Sequence, residues 1–171
     1  MQQFSFAQKE ANIWYFGDKA GLDFNSGTPI VLNDSQMETY EGCATISDVT
    51  GNLLFYTDGR SVWNRNHQVM PNSSGLLGSN SATQSAIIVP KPNDANIYYV
   101  FTVDDLAEAD GLNYSEVNMS LNGDLGDVTA NKNINLLTPT TEKIPAVLHE
   151  NGEDIWVITH GWQNNNFYAY L

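Results

Sequence analysis

One short apolar run returns along this chain, and its recurrence constrains the fold more than any other feature. Asn12-Ile13-Trp14-Tyr15-Phe16 is followed by Asn52-Leu53-Leu54-Phe55-Tyr56, Asn96-Ile97-Tyr98-Tyr99-Val100 and Asp154-Ile155-Trp156-Val157-Ile158. Each copy opens on a turn-forming Asn or Asp. It continues with β-branched, aromatic and leucine side chains on both parities, the pattern of a strand covered on both faces. The intervals are 40, 44 and 58 residues. Three copies follow a second apolar segment that begins at alanine: Ala44-Thr45-Ile46-Ser47, Ala86-Ile87-Ile88-Val89 and Ala146-Val147-Leu148-His149. Between segment and run lie "DVTGN", "KPNDAN" and "ENGED", all turn chemistry, so each pair is expected to be a β-hairpin.

A third strand is expected after every run, at 21–24, 61–64, 112–117 and 167–171, with a weaker fourth at 28–32 and 132–137. Repeating units of this length predict an all-β chain, a β-propeller-like array of four-stranded antiparallel blades, incomplete at about three and a half blades. The units fall at about 11–39, 40–81, 82–141 and 142–171, forming one domain over 11–171. A sandwich is the alternative, but it gives no reason for its hairpins to resemble one another. An unclosed array leaves sheet faces and blade edges exposed, and self-association through them is expected.

At 171 residues the chain is the size of one domain with a real core, and 42% hydrophobic and 11% aromatic residues supply it. Seven Lys plus Arg against twenty Asp plus Glu give a net charge of −13, which repels phosphate backbones and anionic lipid. Nucleic acid is not an expected partner, and no run of eighteen apolar residues encodes a membrane insertion. The single cysteine, Cys43, excludes an internal disulfide and reads as a small strand residue rather than a catalytic thiol. His67, His149 and His160 are dispersed in sequence, without zinc-ligand spacing. Ser5 and Ala7 sit like the small residues of a cleavage site, so residues 1–10 read either as the remnant of a signal peptide or as a disordered start.

The stretches "NIWYFGDKAGLDFNSGTPIVL", "YEGCATISDVTGNLLFYTDGRSVWNRNHQVMPN", "GLLGSNSATQSAIIVPKP", "YYVFTVD", "LNGDLGDVT" and "DIWVITHGWQNNNFYAYL" closely resemble the amino-terminal region of large secreted surface proteins of Bacteroidetes. Those proteins end in a gliding-motility-associated, type IX secretion (type B) sorting domain. The resemblance runs from Asn12 to Leu171. It implies a propeller-like repeat domain and a secreted or cell-surface location, with a role in adhesion. This chain carries no counterpart of the sorting domain, and the resemblance transfers no catalytic residues.

In a propeller, the loop entering the first strand and the loop leaving the second open on one face, the usual ligand surface. Here that face is expected to hold Glu41, Asp58, Arg60, Trp63, Gln84, Asp104, His160 and Trp162, together with Tyr40, Thr83, Asp105, Glu142 and Lys143. The expected function is a non-catalytic binding or scaffold module that takes a glycan or a protein. Paired carboxylates acting as a glycan hydrolase are the alternative, and a spacer without ligand is the third reading. Trp63 and Trp162 are candidates for stacking on sugar rings, or for packing between blades. No cofactor is expected apart from calcium, for which Asp124 and Asp127 in "NGDLGD" are candidates; a plain hairpin turn accounts for them more simply.

Overall fold

The computed structural model describes residues 9–171. The cleavage-site reading of Ser5 and Ala7 lies outside them. A single 3-10 turn at Lys9–Ala11 leads into fourteen strands, and no α-helix occurs among the described residues. The chain is all-β, as expected.

The first sheet holds β1 (Ile13–Phe16), β2 (Ala20–Asp23) and β3 (Ile30–Leu32); the second holds β4 (Ala44–Ser47), β5 (Leu53–Thr57) and β6 (Val62–Asn64). The third holds β7 (Ala86–Pro90), β8 (Ile97–Val103), β9 (Leu112–Asn118), β10 (Asp127–Val128) and β11 (Ile134–Leu137), and the fourth holds β12 (Ala146–Leu148), β13 (Ile155–His160) and β14 (Phe167–Tyr170). All pairs are antiparallel, and the three anticipated hairpins form: Ala44 faces Thr57, Ala86 faces Thr102 and Ala146 faces Val157. Turn residues close them as their chemistry dictates. Asp48 Oδ1 accepts the N–H groups of Thr50 at 2.8 Å and Asn52 at 3.0 Å, while Gly51 takes φ +94°, a conformation that a Cβ disfavours.

Four-stranded blades are not what forms. The sheets have three, three, five and three strands. In the second, the fourth strand shrinks to a single bridge between Trp63 and Val69. In the third, β9 is seven residues long and pairs along one edge with both β10 and β11, so the "NGDLGD" stretch runs into a strand that the sequence does not advertise.

The sheets pack in chain order, with a hydrophobic core between each consecutive pair. Ile13, Tyr15, Tyr56 and Trp63 join the first to the second; Phe55, Val62, Val100 and Val117 join the second to the third; Phe101, Val103, Leu112 and Val157 join the third to the fourth. Strand alternation explains how one sheet serves two cores. In β8, Tyr98 and Val100 point to the second sheet while Tyr99, Phe101 and Val103 point to the fourth. Phe55 is fully buried and meets Tyr98 edge-on at 5.5 Å, one such side chain contributing about 1.5–3 kcal/mol by burial.

Candidate functional site

The loops that leave β5 and β8 carry the anticipated acids, and backbone packing brings the loops of the second and third sheets together. Gly42 N–H donates to Ala82 O at 3.0 Å, Gly78 N–H to Gly59 O at 2.9 Å, and Ser85 Oγ to Asp58 O at 2.6 Å. A Cβ on Gly42 or Gly59 would run into Ser85. Gly59 also has φ +85°, so two independent constraints hold that position to glycine.

Asp58 is buried, 2% exposed, and both its oxygens are occupied. Oδ1 accepts the backbone N–H of Arg60 and of Ser61, each at 2.9 Å; Oδ2 accepts Arg60 Nε at 3.1 Å and Nη2 at 2.8 Å. Asp104 also directly follows the second strand of its hairpin, but its surroundings differ. Oδ2 accepts the N–H of Asp110 at 3.0 Å and of Gly111 at 2.7 Å, while Oδ1 is buried without a partner. Two residues on stands Leu106, where the Asp58 loop has Arg60. Burial pushes the Asp104 carboxyl above its ordinary range; the two backbone N–H groups oppose this, and Asp110 and Asp105 add to it. Glu142 is likewise engaged. Its Oε2 takes Thr83 N–H at 2.7 Å and Oγ1 at 2.9 Å and its Oε1 takes Leu106 N–H at 3.2 Å, bonds that lower its pKa.

The remaining candidates scatter. Trp63 is 9% exposed and lies parallel to Tyr56, 5.5 Å between centroids, inside the core of the first two sheets. Gln84 Oε1 accepts Ile144 N–H at 3.2 Å, tying two loops. Tyr40, Glu41 and Trp162 are exposed, and His160 meets Phe167 edge-on at 4.8 Å. Asp124 is an exposed turn residue with φ +62°, and Asp127 Oδ1 accepts Asn72 and Val128 N–H, each at 2.8 Å. Among the described residues no group of three or more His, Cys, Asp and Glu forms a metal-holding set.

Two features stand apart from the anticipated loops. One is a groove of about 430 Å³ between the third and fourth sheets, lined by Tyr99, Phe101, Tyr114, Val157 and Tyr170, with Lys91 and Asp154. Tyr99 and Tyr114 are perpendicular at 5.7 Å, and Tyr170 Oη donates to Leu136 O at 3.2 Å. The signal for it lay in the alternating aromatics of "YYVF" and "NYSEV", which the repeat explains as core. The other is a polar chain between the first two sheets. Tyr15 Oη donates to Asp34 Oδ1 at 2.7 Å, Asp34 Oδ2 lies 3.3 Å from His67 Nε2, and His67 Nδ1 lies 3.3 Å from Tyr56 Oη. Burial first, and then Asp34, push the Tyr15 phenol far up. Asp34 and His67 are 33 residues apart in sequence, so no local pattern shows them as partners.

Compared with protein-family models, with characterised proteins and with solved structures, the chain matches none.

Proposed function

We propose that this chain is a non-catalytic binding module of a secreted or cell-surface bacterial protein, built as an open propeller-like array and taking a glycan or a protein as ligand. The observation that carries the reading is the condition of the acids. A hydrolase working through paired carboxylates needs two of them free to face a scissile bond. Asp58 is instead held by its own loop, and Glu142 by Thr83 and Leu106 of two other loops. The aromatic groove supports the same conclusion, because Tyr99, Phe101 and Tyr114 offer ring faces and edges for a sugar or an apolar side chain, with Lys91 and Asp154 to orient it. The packing of successive sheets through alternate faces, and the resemblance of the sequence to surface proteins, support the propeller-like and extracellular parts.

Asp104 is the observation that favours the enzyme alternative, since a buried carboxyl with a raised pKa suits a general acid. The carboxylates beside it, Asp105 and Asp110, belong to its own loop rather than to another sheet. A glycan array probed with the labelled chain, followed by calorimetry on the hits, tests the proposal. Binding that Tyr114→Ala weakens at least tenfold and that Asp104→Asn leaves intact is expected; hydrolysis of a bound glycan that disappears in Asp104→Asn would overturn it.

A further inference from the structure

Among the described residues, the stack of four sheets ends in two apolar faces with nothing packed on them. On the first sheet, Trp14, Leu22 and Val31 form one cross-strand row and Phe16 lies beside it; Trp14 is 50%, Phe16 40% and Val31 66% exposed. Their alternate neighbours Ile13 and Tyr15 are buried against the second sheet. On the fourth sheet, Val147 pairs with Trp156, Ile158 with Ala169, and His160 with Phe167, all opposite in parity to Val157, which is buried against the third sheet. Val147 is 54% and Phe167 75% exposed.

Strand register gives these faces a meaning beyond exposure. Counted back from the end of the second strand of each hairpin, His160, Ile158 and Trp156 occupy the places of Val103, Phe101 and Tyr99. Val147 stands opposite Trp156 as Val89 stands opposite Tyr99, and Phe167 faces His160 as Leu112 faces Val103. The free face of the fourth sheet is therefore the positional equivalent of the face on which the third sheet receives its successor. What that face receives, at every junction in the molecule, is the predecessor-side face of another such sheet. Among the described residues one predecessor-side face is left free, and it belongs to the first sheet.

We propose that two copies of this chain associate head to tail, the fourth sheet of one packing on the first sheet of the other through Val147, Trp156, Ile158 and Phe167 against Trp14, Phe16, Leu22 and Val31. None of these eight side chains is Asp, Glu, Lys or Arg although the chain carries −13, so the contact itself brings no like charges together. The association is heterologous: repeated, it closes a ring if the rotation allows and otherwise extends as a filament. The remaining acidic surface opposes encounter, so added salt strengthens the assembly by screening.

The test uses Val31→Asp and Phe167→Asp, each placing a charge on one face only at a position that is already exposed. Far-UV circular dichroism and the thermal transition establish that both remain folded; Val31→Lys and Phe167→Lys replace a variant that does not. By sedimentation velocity, the unaltered chain is expected to rise above its 18.9 kDa as concentration increases. Each variant alone is expected to remain a single chain, because each lacks one half of the junction. Mixed in equal amounts, the variants are expected to double in mass and stop there, since only one intact junction is available. A single-chain mass for the unaltered protein at every concentration overturns the proposal, as does a mixture that does not pair. A variant that doubles alone overturns it too, because like faces would then be pairing.

Discussion

Replacing Asp58 by alanine separates a structural carboxylate from a ligand-binding one, and the structure sets the size of the effect. Two backbone N–H groups, those of Arg60 and Ser61, lose an ionised acceptor at 2.9 Å, and Arg60 loses its bidentate partner. Hydrogen bonds to charged groups contribute about 1.5–3 kcal/mol each when buried. Arg60 is 44% exposed, so its guanidinium returns to water and its ion pair adds no more than about 1 kcal/mol. The loop's own access to solvent lets water replace part of what the N–H groups lose. The net loss is about 3 kcal/mol, a fall in Tm of about 6–12 °C for a chain of this length. Urea melts of Asp58→Ala, Arg60→Ala and the double variant measure it, and the double variant should lose less than the two single losses combined. A loss under about 1 kcal/mol for Asp58→Ala would refute the reasoning, and would free that carboxylate for a ligand.

Asp104→Asn should stabilise the protein at neutral pH by about 1 kcal/mol, because it removes a buried charge with one unpartnered oxygen while an oxygen remains to accept Asp110 and Gly111 N–H. The folded pKa of Asp104 is raised, so its protonated form favours folding: that contribution is full below the unfolded pKa and is lost as pH rises through the folded one, a slope that melts of the variant should lack. Asp48 has the opposite sign. Burial opposes its ionisation, but hydrogen bonds from Thr50 and Asn52 hold the carboxyl at about 2, so its contribution is present above its ordinary pKa and fades as acid melts approach pH 2, and Asp48→Ala should flatten that limb. Gly59→Ala should cost at least about 2 kcal/mol in thermal melts, from left-handed backbone strain together with the collision with Ser85. The Cys43 thiol is pushed up by burial and its Sγ–H donates to Tyr15 O at 3.4 Å, so iodoacetamide at pH 8 should label the folded chain more than tenfold slower than the chain in urea.

The sequence alone determined the hairpins, because a turn residue such as Asp48 or Gly51 and an alternating strand such as β8 act over a few neighbouring residues. It determined that Tyr98 and Tyr99 point opposite ways for the same local reason. It did not determine the strand count, since whether β9 accepts one partner or two depends on where a distant segment, Asp127–Val128, comes to rest. Nor did it separate Trp63 from Trp162: both follow a second strand, yet one stacks on Tyr56 in a core and the other reaches solvent. Asp58 and Asp104 make the point most sharply. Each follows directly on its strand, but the partners of one lie two and three residues away and those of the other six and seven away across a longer loop. The contacts of Glu142, the aromatic groove and the two free end faces are all properties of surfaces brought together by packing. Only the tertiary structure decides them, because the atoms that complete or leave open each one come from segments tens of residues apart.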